Sequence, residues 1–88
     1  MTQARKITAH DEIRSWAEER GGRSARVAAT ANSGGGILRF DFGEKDESLE
    51  EISWDEFFKI FEDRKLALLV QDEVSSGETS RFFKFVNR

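Results

Sequence analysis

The chain has 88 residues and a mass of 10.1 kDa, enough for one small domain. Its 14 basic and 17 acidic side chains give a net charge of -3, which disfavours a nucleic-acid binder that works by neutralising phosphates. The absence of cysteine excludes a disulfide framework, a thiolate zinc site and a cysteine nucleophile, and the lack of a long apolar run or an apolar leader core makes a soluble cytoplasmic protein the expectation.

Residues 1–7 are expected to form a loose end, as are residues 87–88. A first helix is predicted over residues 8–20. Thr8 is placed to cap it, Asp11 and Glu12 lie at the positive end of its dipole, and Ile13, Trp16 and Ala17 form one apolar face. Gly21 and Gly22 end the helix, with Arg20 and Arg23 near its negative end. Residues 25–30 make a weak strand candidate, because Val27 is the only large apolar side chain there. Residues 32–36 read as a turn or flexible loop. Residues 37–42 form a stronger strand, in which Leu38, Phe40 and Phe42 alternate with Arg39 and Asp41, as a sheet with one wet face requires.

Net charge changes along the chain, from +2 over residues 1–43 to -5 over residues 44–88. The densest acidic stretch, residues 44–51, sets five carboxylates against one lysine and reads as a solvated loop. It lacks the spacing of a calcium loop. Ser53 and Glu56 then have the form of a capping box, and Ile52 and Phe57 are placed as a hydrophobic staple. Phe57, Ile60 and Phe61 fall on one face of a second helix over residues 54–64. The continuous apolar run at residues 66–71 reads as a central buried strand. Residues 74–78 resemble a hairpin turn leading into a final strand over 81–86. Phe82, Phe85 and Val86 also fit one face of a short helix, but the strand is preferred.

The first helix and the second echo each other: residues 11–20 can be laid over residues 55–64. Either two α-β-β units are present, or two capped amphipathic helices look alike for physical reasons. Both readings give an α+β single domain, with a mostly antiparallel sheet carrying two amphipathic helices on one face.

Candidate chemistry is sparse. His10 is the only histidine and falls in the first helical turn, where an exposed surface residue is expected. No carboxylate pair is marked out by its context. Asp41 is expected on the wet face, where a cross-strand ion pair accounts for it. The glycines at 34–36 precede a strand rather than a helix, so they are a connection and not a phosphate cradle. Arg20, Arg23, Arg26 and Arg39 would form a small cationic patch for an anionic group if the first two strands pair; ordinary surface charge is the alternative. Trp16 belongs to the core stripe. Trp54, at the first helical position, and Phe58 and Phe83, which lie off the main stripes, are the candidates for an exposed partner-binding surface.

The segments at residues 10–13, 16–18, 20–22, 36–42 and 48–58 resemble a group of small uncharacterised bacterial proteins often labelled 1,4-alpha-glucan branching enzyme. The resemblance covers most of residues 10–86 and implies a bacterial, cytoplasmic domain. Branching enzymes proper resemble large proteins built on a (β/α)8 barrel. No motif of that barrel is visible here, so the resemblance assigns no catalytic residue. The leading expectation is a non-catalytic module that binds another protein or a second copy of itself, with no catalytic residue, cofactor or metal. A glycan-related enzyme or accessory factor, as the resemblance implies, is the alternative. Weak RNA or anion binding through the arginines is a further one, and no membrane association is expected.

Overall fold

The apolar periodicities become a chain of short elements in the computed structural model, which describes residues 4–30, 36–71 and 80–88. These are β1 (Ala4–Ile7), α1 (His10–Glu19), β2 (Gly22–Val27), a 3-10 turn (Ala28–Thr30), β3 (Leu38–Phe42), β4 (Leu49–Glu51), α2 (Trp54–Asp63), β5 (Leu66–Gln71) and β6 (Phe83–Asn87). The N-terminus of α2 follows its sequence signal, since Ser53 Oγ accepts a hydrogen bond from the Glu56 amide at 3.1 Å. That of α1 does not. Its N-cap is Ala9, with no side-chain cap, because Thr8 lies one residue too early.

Both helices end in the left-handed conformation, at Gly21 (φ 70°) and Lys65 (φ 52°). Nothing lies within 4 Å of a Cβ built on Gly21, so a side chain there is penalised by backbone strain alone. Gly21→Ala should therefore lower stability by about 1–2 kcal/mol. Lys65→Gly should be neutral or stabilising by up to about 1 kcal/mol, because strain relief is partly offset by unfolded-state entropy. Paired thermal melts would read both, and a clear loss for Lys65→Gly would contradict the strain argument.

Two three-stranded antiparallel sheets form, in the orders β1-β5-β6 and β3-β2-β4. The sequence pattern suggests one sheet, a loose end over residues 1–7 and a loop over 44–51. Residues 4–7 and 49–51 are instead edge strands. Their alternation is short and dominated by Arg5, Lys6, Glu50 and Glu51, so strand character comes from pairing rather than from a local apolar pattern. The strand at the weak candidate lies earlier than expected, at Gly22–Val27, and the final strand lies later, at Phe83–Asn87, so that Asn87 is paired and not part of a loose end. The turn expected at 74–78 and the loop expected at 32–36, apart from Gly36 with its φ of 95°, lie outside the described residues.

The echo between the helices extends to the strands. Adding 44 carries His10 to Trp54 and Gly22 to Leu66, and adding 45 carries Phe42 to Asn87. Strand register repeats as well, since the Gly22–Phe42 pair becomes Leu66–Asn87. The pair Ala4–Gln71 becomes Leu49–Val27, with the halves exchanged. The chain is thus two β-α-β-β units, each lending its first strand to the other's sheet.

Both helices cover the same inner surface. Ile13, Trp16 and Ala17 of α1 and Phe57, Ile60 and Phe61 of α2 are buried with Leu38, Phe40, Leu68 and Val70. Phe40 lies at the junction. Its ring is 5.3 Å from Phe57, 5.9 Å from Trp16, 5.0 Å from Phe83 and 5.9 Å from Phe85. Each such burial contributes about 1.5–3 kcal/mol before entropy is subtracted.

Candidate functional site

The first residues of the two helices build a ladder of rings. Trp54 and Phe58 are four residues apart on α2, so they share a face, and their rings stack at 5.4 Å. His10, the first residue of α1, lies flat on Phe58, with centroids 4.1 Å apart and planes 3° from parallel. Arg14, one turn further along α1, places its guanidinium 6.0 Å from the Trp54 ring. In the repeat, His10 corresponds to Trp54 and Arg14 to Phe58. The His10–Phe58 and Arg14–Trp54 contacts are therefore one helix–helix contact made twice with different chemistry. Trp54 and Phe58 are half-buried, while His10 and Arg14 are exposed.

Glu62, the next turn of α2, fastens the ladder. Its carboxylate accepts from His10 Nε2 at 2.8 Å and from Arg88 at 2.5 Å. The Arg88 hydrogen bond, and after it that of His10, holds the Glu62 carboxyl below its ordinary 4.5. A depressed folded-state value means that ionised Glu62 favours the folded chain above pH 4.5. That contribution is lost as pH falls from there through the lower folded value. Glu62→Gln should therefore flatten part of the acid limb of stability below pH 4.5 and leave the alkaline side unchanged. Urea unfolding across a pH series would show it, and parallel acid limbs would refute it.

Of the three partner-binding candidates, Trp54 and Phe58 meet on this ladder. Phe83 does not join it, packing instead on Phe40 and Phe42 from β6. The four arginines do not share a surface. Arg20 is buried, with Nε donating to the Ser80 carbonyl at 2.5 Å, Nη1 to that of Trp16 at 2.9 Å, and the guanidinium 4.3 Å from the Trp16 ring. Arg26 pairs with Glu50 on the inner side of its sheet. Arg23 and Arg39 lie on the outer side, where Arg23 pairs with Asp41 at 3.4 Å.

Asp41 makes the expected cross-strand ion pair, but it is not on a wet surface. It is only 4% exposed, because the following turn folds back and the Asp46 amide donates to its Oδ2. His10, Arg14, Glu62 and Arg88 are absent from the sequence-based site. The spacings 10/14 and 54/58/62 carried a signal for one helical face each, but not for the meeting of the two faces.

Among the described residues, no three His, Cys, Asp or Glu side chains converge to hold a metal. No helix there is long and apolar enough to cross a membrane. Comparison with protein-family models, curated proteins and solved structures finds no match to this chain.

Proposed function

We propose that the chain is a non-catalytic interaction module that grips a partner protein through the Trp54–Phe58–His10 ladder. The observation that carries this reading is a set of accessible rings, stacked on one another and rimmed by Arg14, Glu62 and Arg88. Partner surfaces concentrate their energy in such aromatic anchors with a polar rim. Rings already held in place lose little further freedom when a partner arrives.

Affinity capture with the wild-type chain and with Phe58→Ala, accompanied by light scattering, tests the proposal. A partner, or a second copy, should be held by the wild type. Phe58→Ala should weaken it by about thirtyfold, as a hot-spot loss near 2 kcal/mol implies. Circular dichroism should show the variant folded. A strict monomer that captures nothing sensitive to Phe58 would overturn the reading. A soluble glucan that quenches tryptophan emission would instead assign the ladder to a glycan-related accessory factor.

A further inference from the structure

We propose that the outer face of the β1-β5-β6 sheet is a second docking surface, for an extended acidic segment of a partner polypeptide. It is independent of the helix ladder. Register places Lys6, Leu69 and Lys84 side by side across the three strands, with Ala67 and Val86 as the adjacent pair. Their parity is opposite to that of Leu68, Val70 and Phe85, which pack into the core. Both lysines are exposed, Leu69 and Val86 are half-buried, Ala67 is fully buried between its neighbours, and neither lysine has a carboxylate partner among the described residues.

The twin sheet makes this arrangement informative, because the two faces share one geometry. In β3-β2-β4, the positions of Lys84 and Lys6 are occupied by Arg39 and Glu51, on either side of Ala25. The positions of Ala67 and Val86 are occupied by Arg23 and Asp41, which form an ion pair. That face balances its own charge. Among the described strand residues, the face of β1-β5-β6 carries +2 with no acid, in a chain whose net charge is -3. Aliphatic side chains flanked by two cations complement a strand of alternating carboxylates and small apolar side chains. Neighbouring strands lie about 4.8 Å apart, so the lysine stems rise about 10 Å apart, with Leu69 between them. None of the paired residues Lys6, Ala67, Leu69, Lys84 and Val86 is aromatic, and the one exposed ring nearby, Phe82 just before β6, gives at most a single platform for a base, which favours peptide over single-stranded nucleic acid.

The test is amide chemical-shift titration with a synthetic peptide alternating glutamate and valine, with an oligothymidylate as the comparison polyanion. Shifts should cluster on Lys6, Leu69, Lys84 and Val86. They should fade as salt rises from about 0.01 to about 1 M, where the screening length falls from about 30 to about 3 Å. The double variant Lys6→Glu with Lys84→Glu should weaken binding at least about tenfold, a change of about 1.4 kcal/mol. Phe58→Ala should bind as the wild type does, which separates this surface from the ladder. The proposal is overturned by absence of shifts at millimolar peptide, by shifts on the helices, or by an equal response to the oligothymidylate. A dimer of the chain itself that the double variant abolishes would also overturn it.

Discussion

Phe57→Ala is expected to be among the most damaging single truncations, costing about 3–5 kcal/mol. Phe57 is fully buried, and its ring touches both halves of the repeat. It stacks on Phe40 of β3 at 5.3 Å, reaches Phe85 of β6 at 6.0 Å, and supports Trp54 and Phe58 at 5.3 and 5.4 Å. The cavity cannot collapse easily, since its walls come from two sheets whose edges are fixed elsewhere. A domain of this size has about 5–15 kcal/mol in total, so the loss consumes a large part of it. Urea unfolding should show a lower midpoint with an unchanged slope. The ladder rings should lose order together with stability, because Phe57 lies beneath both. A loss below about 1 kcal/mol would mean that the core is not organised around this ring.

Arg20→Ala is expected to cost about 3 kcal/mol, although most single arginine truncations on a surface cost far less. The difference comes from burial. The side chain joins the end of α1 to the backbone leading into β6, through the carbonyls of Trp16 and Ser80. Its guanidinium also lies over the Trp16 ring. Truncation leaves two buried carbonyls without this donor and removes a desolvated cation–π contact. Arg20→Lys should recover less than half of the loss, because an ammonium cannot reproduce the planar fork. Hydrogen exchange should speed up first near residues 80–83, before the amides of α2 respond. Uniform acceleration across the chain would argue against a local fastening.

The position of Arg20 could not be read from the chain, where a basic residue at a helix end has an ordinary dipole explanation. The matching residue of the second half, Arg64, stays exposed. Burial of the first therefore depends on what the neighbouring strand brings up to it. Asp41 teaches the same lesson, since alternation assigned it correctly to the side of its strand away from Phe40. Only the return of the turn through Asp46 determined that this side is covered.

The helix ladder was half legible. Trp54 was recognisable as an off-core aromatic at a helix start, and Phe58 as its neighbour on the same face. His10 looked like an ordinary surface residue, because nothing nearby in sequence indicates that it stacks on a ring 48 positions later.

By itself the sequence determined the elements with strong local physics. The capping residues and apolar spacing specified α2, the helical stripe and glycine stop specified α1, and alternation or a continuous apolar run marked β3 and β5. It also determined the α+β class and hinted at the repeat. The tertiary structure alone decided that β1 and β4 are strands, that there are two sheets, and that each half lends its first strand to the other. The physical reason is that three or four residues with charged side chains hold no extended conformation of their own. Their order comes from backbone hydrogen bonds to partners far away in the chain, such as Ile7 beside Leu68, and such pairing leaves no periodic trace in either segment.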